Sequence, residues 1–374
     1  MGFAGDSFPR YTIPSIVGRP MLKFAQSVEG VELKDEMFGD EANPLRSLLD
    51  IKYPIEEGQV RDWDDFEKLW KYTFHTKMGL PADLKDKGII VTEAAVQPRK
   101  NRDKMAEKIF ETFGFGSCLF ETQALLSLMA EGHSSGLVLD SGDGVTHVIP
   151  VIEGQVQEHA VLNGRLNLAG RHVTKYLVKL LGMRGYAFNS TADFEVVREI
   201  KEQCCFVSYD RHKDRKLAEE TTLLDKEFKL PDGKTIRIGR ERFEAGEALF
   251  RPKVAGVEDF GFHEKIYNVI EACDIDVRLS LMQNIILTGG TTMFPGLSTR
   301  LEKDLLELYC NKKYGGNMRQ TKKTGLMIHD PPRRKHNVFI GASFLANRID
   351  ANQWITKEAW KEYGPSILHQ QTGW

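Results

Sequence analysis

The chain has 374 residues, 41% hydrophobic and 28% charged, with a formal net charge of −2; this is too long for one ordinary core, so two lobes or more are expected. The near-neutral charge argues against a chain built to wrap nucleic acid, and no run approaches the ~18 apolar residues of a membrane helix, so neither direct nucleic-acid binding nor membrane insertion is expected. Five scattered cysteines (Cys118, Cys204, Cys205, Cys273 and Cys310) without a Cys-x-x-Cys pair fit free thiols in a reducing compartment better than a disulfide frame or a zinc site, and the first residues lack the basic-then-apolar order of a signal peptide.

Residues 2–20 alternate apolar residues with Gly and Pro, predicting a strand, a loop and a second strand. Residues 21–37 are polar and mixed and read as an exposed strand or mobile loop; a helix is expected from Phe38 to about Leu49, then a turn over 52–58. Asp62 caps a helix in which Phe66, Leu69 and Trp70 recur at helical spacing. Gly88 to Glu93 reads as a buried strand, Asn101 as the cap of a helix with Met105, Ile109, Phe110 and Phe113 on its core face, and Glu121 to Ala130 as a helix turning Leu125, Leu126 and Met129 inward.

Two stretches carry chemistry. Leu137 to Pro150 is an apolar lead-in, a turn of small residues at Ser141, Gly142 and Gly144, and an apolar lead-out, which predicts two buried strands joined by a tight turn. Glycines let consecutive N–H groups point inward as a nest for phosphate, and Asp140 at the strand end could face a metal held by that phosphate, directly or through water. An ordinary type I′ hairpin at Asp143-Gly144 fits the same spacing. Asn284 to Gly296 is the second: a buried strand runs into Gly289-Gly290 and a helix begins near Leu297. A ligand fits at the carboxyl end of such a strand, and close packing alone would also require the glycines.

Between them, Arg165 to Arg171 leads into a helix from about Val173 to Leu181, and Gly170 offers a place where phosphate or sugar can approach the backbone. A long helix is predicted from Asp193 to Tyr209, with Val197, Ile200, Cys204 and Val207 on one side; Arg198, Lys201 and Glu202 share an adjoining side, a pattern that also fits a solvated face with helix ion pairs. Pro231-Asp-Gly marks a hairpin. Residues 310–325 are a basic exposed excursion, Asp330-Pro-Pro stops a strand, and Val338 begins the last helical region.

Gly2-Phe-Ala-Gly, Pro14-Ser-Ile-Val-Gly-Arg-Pro, Gly39-Asp-Glu-Ala, Lys52-Tyr-Pro-Ile-Glu, Trp63-Asp-Asp, Asp140-Ser-Gly-Asp-Gly-Val-Thr-His, Leu168-Ala-Gly-Arg, Pro231-Asp-Gly and Gly289-Gly-Thr-Thr-Met together resemble the actin family, in its order and spacing, over almost the whole chain. Gly185-Tyr-Ala-Phe-Asn, Ala192-Asp-Phe-Glu and Asp330-Pro-Pro-Arg-Arg-Lys-His resemble an actin-related branch, whereas the tail Gly364-Pro-Ser-Ile-Leu-His is similar to conventional actin.

The resemblance implies an α/β actin-like ATPase fold, two lobes in four subdomains around a nucleotide cleft: residues 1–14, 54–130 and 337–374; 15–53; 131–168 and 256–336; and 169–255. It implies ATP and Mg2+ as cofactors. Gly142, Asp143, Gly144 and Val145 would form a phosphate loop, with Asp140 facing the cation. Gln123 and His147 would place the attacking water. Gly170, Arg198, Lys201, Glu202, Gly289, Gly290, Thr291, Met293, Phe294 and Lys335 would surround ribose and adenine.

The implied role is a cytoplasmic, ATP-binding subunit of the complex that nucleates branched actin filaments. Its partners would be actin, actin-related protein 3 with the other subunits, and nucleation-promoting factors; a divergent filament-forming actin is the alternative. Gln and neutral His are weak bases, so the implied hydrolysis is slow and the role structural rather than that of a metabolic enzyme.

The sequence departs from the family pattern in places. The family's opening strand and first phosphate loop with its lysine have no counterpart here, so the true start is expected upstream of Met1. Glu121 and Thr122 stand where the family is apolar, Ala342 where a second Gly is usual, and Gly246 where Pro is usual; Val161-Leu-Asn-Gly164 is longer than in actin.

Overall fold

The computed structural model describes residues 1–21, 27–28, 31–95 and 97–369. The chain separates into two compact units, residues 1–126 with 338–374, and residues 127–337. Among the described residues no helix is long and apolar enough to cross a membrane, and all five cysteines are free and buried.

In the first unit, residues 1–16 form no strand; the expected first strand is replaced by irregular chain. Pro offers no ladder donor there and Gly is costly to order in a strand, and side chains bond the backbone instead. Asp6 accepts from the Phe3 amide (2.8 Å), while the Ser343 hydroxyl accepts from Gly5 N–H (2.9 Å) and donates to Asp6 O (2.9 Å). Val17–Pro20 is the middle strand of a small antiparallel sheet, flanked by Met37–Phe38 and Leu49–Lys52. The helix expected from Phe38 to Leu49 is therefore only Gly39–Ala42 followed by a 3-10 turn at Asn43–Leu45, where Pro44 ends it and the chain returns to pair with Val17–Pro20. The expected loop over 21–37 lies partly outside the described residues; within it Ser27–Val28 pairs with Val31–Glu32.

Asp62 caps Trp63–Lys71 as its sequence predicts, accepting from the Asp64 and Asp65 amides. Asn101 caps nothing: the next helix begins at Arg99 after Pro98, whose fixed φ suits a helix start. Gly88–Glu93 pairs in parallel with Ser117–Thr122, which also pairs with Ile355–Thr356. It is an edge strand in the described residues, half-exposed from Ile89 to Thr92, not the buried strand its composition suggests. The core of this unit is aromatic: Phe74 meets Phe113 edge-on, and Phe110 stacks on Trp360, with Ile109, Cys118 and Leu368 around them.

The second unit is built on one mixed sheet. Its strands are β1 (Gly136–Ser141), β2 (Thr146–Ile152), β3 (Gln155–Val156), β4 (Arg165–Leu166), β5 (Ile285–Thr288) and β6 (Ile328–His329). β1 pairs antiparallel with β2 and parallel with β5, β2 pairs with β3 and β4, and β5 pairs in parallel with β6. Leu137, Leu139, Val148, Ile285 and Leu287 enter a continuous core with the helices. Helix α1 (Gly170–Met183) begins three residues earlier than its pattern predicts and buries Val173, Thr174, Leu177 and Leu181 along one stripe. Helix α2 (Thr191–Cys204) carries a Ser190–Asp193 capping box and stops at Cys204, not at Tyr209. The residues beyond it are drawn out to bond elsewhere: Phe206 N–H donates to Arg242 O and Val207 N–H to Pro295 O. Lys226–Lys229 and Thr235–Ile238 form the hairpin marked by Pro231-Asp-Gly.

Candidate functional site

One row of residues crosses the second unit's sheet in register: Arg165 on β4 opposite His147 on β2, His147 opposite Asp140 on β1, and Asp140 opposite Thr288 on β5. Directly opposed residues share a face, so Asp140 and His147 project together, on the side away from Leu139 and Val148. Among the described residues no cation is paired with Asp140, and burial pushes its carboxyl up to about 6. Burial, and then the Arg165 charge, push His147 down to about 4, so its imidazole is neutral near pH 7. His147 is 5% exposed, and its Nε2 has no protein partner.

The turn between β1 and β2 is the four-residue loop Gly142 to Val145, closed by Gly142 N–H donating to Val145 O (3.2 Å). It is not a type I′ hairpin, which needs a left-handed backbone at both central residues; neither Asp143 nor Gly144 has positive φ. The loop carbonyls are gripped from one side. Gly142 O accepts from Gly170 N–H (3.1 Å) and the Thr291 hydroxyl (2.7 Å), and Asp143 O accepts from Arg171 N–H (2.8 Å). Arg171 Nε also donates to the Asp143 carboxylate (3.0 Å). Under the loop, Ser141 and Thr146 hydroxyls meet at 2.7 Å, and Thr146 donates to Leu168 O. The amides of Asp143, Gly144 and Val145 have no acceptor among the described residues.

The first two amides of α1 are thus spent on the hairpin. Gly170 is not an open phosphate seat as its place at a helix start suggests; it is a point of close approach. A Cβ there would lie 2.7 Å from Thr291 Oγ1 and 3.2 Å from Lys201 Nζ. Lys201 is 7% exposed and donates to Gly170 O (3.0 Å), and burial pushes its ammonium pKa down. Arg198, one turn earlier on α2, is ion-paired with Glu195 and Glu202, the helix ion-pair arrangement that its spacing also allows.

Gly289 follows β5 in a backbone conformation open almost only to glycine, φ 88° and ψ 158°, against Ser141 O and the Asp140 carboxylate. Gly290 is exposed, and no atom would lie within 4 Å of an added Cβ. A 3-10 turn over Gly290–Met293 buries Thr291 and leaves Met293 exposed, and Phe294 is buried after it. Lys335 is exposed on the turn Arg334–His336, whose Arg334 O accepts from Gly289 N–H and the Thr288 hydroxyl.

The structure therefore gathers Asp140, Gly142, Asp143, His147, Gly170, Lys201, Gly289 and Thr291 into one bonded neighbourhood, with Arg198 and Glu202 beside Lys201 along α2. Gln123 belongs to the first unit; it opens the helix Gln123–Ala130 and donates to Thr92 Oγ1 (3.3 Å). Its neighbour Glu121 is buried, with its carboxylate folded back onto the Thr122 amide.

Sequence reasoning missed Arg171 and the Thr291–Gly142 bond. Arg171 could have been singled out as a cation one residue after a glycine helix start; the threonine contact spans 149 positions and leaves no local trace.

The donor set fits a magnesium nucleotide. Unpartnered amides and an unpartnered imidazole nitrogen stand beside a half-buried carboxylate, a set that suits phosphate oxygens, water and a cation. Among the described residues no group of three His, Cys, Asp or Glu could hold a metal unaided. A cation bound through one carboxylate, phosphate oxygens and water needs no such group.

The family model described as Actin matches residues 1–373. A protein named Actin-related protein 2 from Saccharomyces cerevisiae is 49% identical over 371 residues, covering 98% of this chain and 94% of its own. Proteins of the same name are 48% identical in Schizosaccharomyces pombe (98% and 94% covered) and 47% identical in Acanthamoeba castellanii (99% and 95% covered).

Proposed function

This chain belongs to the actin family, and from that premise we propose that it is an ATP-binding, actin-related subunit of the assembly that nucleates branched actin filaments. In this reading it pairs with actin-related protein 3 to imitate a filament end, in the company of actin, the remaining subunits and nucleation-promoting factors, at the cytoplasmic actin cytoskeleton. The observation that carries the nucleotide part is the set of unpartnered amides from Asp143 to Val145 beside the partnerless His147 Nε2 and Asp140. The likeness over nearly full length to proteins named Actin-related protein 2 supports the assembly part.

ATP with Mg2+ would supply the phosphoanhydride and the neutralising charge. The chain's own residues position. Asp143, Gly144 and Val145 would offer amides to phosphate oxygens, and Asp140 would help hold the cation. His147, neutral at pH 7, would orient a water without being a strong base, so turnover is slow and suits a timer of assembly state. Purification of the native protein tests the reading: co-purification with a second actin-like chain and smaller subunits, with stoichiometric adenine nucleotide, is expected. A solitary, nucleotide-free species would overturn it. The conventional-actin tail at Gly364 to His369 favours a second reading, a self-polymerising actin. Sedimentation of the pure chain with Mg-ATP at micromolar concentration separates the two, since only the second predicts a pellet.

A further inference from the structure

We infer that Arg171 and Thr291 are positioning residues for phosphate: by gripping the carbonyls of Gly142 and Asp143 they aim the amides of Asp143 and Gly144. The inference rests on the nucleotide reading above; it adds Arg171, and it gives Thr291, already counted among the ribose and adenine residues, a second task through its bond to the loop.

Every peptide bond described is trans. In a trans peptide the carbonyl and the following N–H point in opposite directions. Gly142 O is held by Gly170 N–H and Thr291 Oγ1, so the Asp143 N–H points away from both. Asp143 O is held by Arg171 N–H, so the Gly144 N–H likewise points away from α1. Two successive amides are thereby turned to one side and left without acceptors, which is the arrangement of an anion nest. Glycine permits the loop's shape but does not choose it, because a free loop of this composition can rotate either peptide plane. The choice is made by the clasp: one backbone bond to each carbonyl, the Thr291 hydroxyl on the first, and the Arg171–Asp143 ion pair, which tethers the second by its side chain. Gly170 must lack a side chain for this to close, since its Cβ would fall 2.7 Å from Thr291 Oγ1 and 3.4 Å from Gly142 O.

Thr291→Val removes the hydroxyl donor at nearly constant volume, and Arg171→Ala removes the tether while leaving the backbone bond. Binding of Mg-ATP and of adenosine to the full chain is compared, by competition against a fluorescent ATP analogue. Each single variant should weaken ATP about three- to fivefold and the double variant about tenfold or more, the scale of one and two ordinary hydrogen bonds. Adenosine, which has no phosphate, should bind Arg171→Ala as it binds the wild type, and Arg171→Lys should recover most of the Arg171→Ala loss.

A parallel fall for ATP and adenosine in Arg171→Ala would mean a general structural defect and overturn the inference, as would ATP binding unchanged in the double variant. Arg171 is partly exposed, so its variants remain informative if Thr291→Val fails to fold. A wild-type chain that holds neither ligand would sink the nucleotide reading and this inference with it; a wild type that holds ATP no better than the variants sinks the inference alone.

Discussion

Replacing Gly289 with alanine should break the junction between β1 and β5, while the same change one residue on should do nothing to the fold. Gly289 sits at φ 88° and ψ 158°, a region that costs a residue with a side chain about 1–3 kcal/mol. Its Cβ would lie 2.3 Å from Ser141 O and 2.8 Å from Asp140 Oδ1. The first of these is backbone in a paired strand and cannot swing aside, so overpacking adds about 1–3 kcal/mol. The sum, about 2–6 kcal/mol, corresponds to a fall of roughly 4–24 °C in the melting temperature of a unit of this size. Gly290 has no atom within 4 Å of an added Cβ, so Gly290→Ala should shift stability by less than about 0.5 kcal/mol. Differential scanning calorimetry of the two variants, followed by ATP titration, separates the effects. Gly289→Ala should lose both stability and nucleotide; Gly290→Ala should keep its stability and lose affinity only where a ligand approaches that backbone. A Gly289→Ala protein melting within about 1 °C of wild type and still retaining ATP would refute the reasoning.

Four further outcomes are expected. Folded Asp140 keeps its proton up to about 6, while the unfolded chain loses it near ~3.9. The native state therefore binds more protons in that window and loses stability as pH rises from about 4 to 6; Asp140→Asn should abolish that loss in urea melts of nucleotide-free protein. His147 has the opposite sign: held neutral down to about 4, it costs stability as pH falls from about 6.5 to 4, and His147→Gln should flatten that limb. Lys201→Met leaves Gly170 O without its 3.0 Å charged donor and should cost about 1–3 kcal/mol by chemical denaturation. Phe110→Ala empties a fully buried site against Trp360 and should cost about 3–5 kcal/mol, with hydrogen exchange quickening in residues 1–126 and 338–374 and unchanged in the sheet of 127–337.

Local rules fixed in advance those elements whose own residues decide them. Asp62 is followed by two amides it can cap; β1 and β2 are apolar runs around a small-residue turn; α1 repeats its apolar stripe over three turns. Where partners distant in sequence decide, the same rules failed. Phe38 to Leu49 has helical composition, yet Leu49–Lys52 is claimed by Val17–Pro20 as a strand partner. Val207 has the right spacing for α2, yet its amide is taken by Pro295 O. Residues 88–93 are apolar enough to be central and lie at an edge, because strand position depends on which neighbours the chain brings.

The site divides along the same line, and the division explains why its chemistry was legible and its orientation was not. Residue types at Asp140, His147 and the glycines of 170 and 289 declare what could be bound, since each is costly or special where it stands: a half-buried carboxylate, a buried imidazole, two close backbone approaches. Which way the hairpin presents its peptide planes is a property of the bonds to α1 and to Thr291, which are absent from any local pattern. A glycine loop with free carbonyls on the ligand side would repel phosphate as strongly as the observed one can receive it. The identity of the loop residues is thus necessary for an anion site and insufficient for one; the sign of the loop's field is set by the elements that hold its far side.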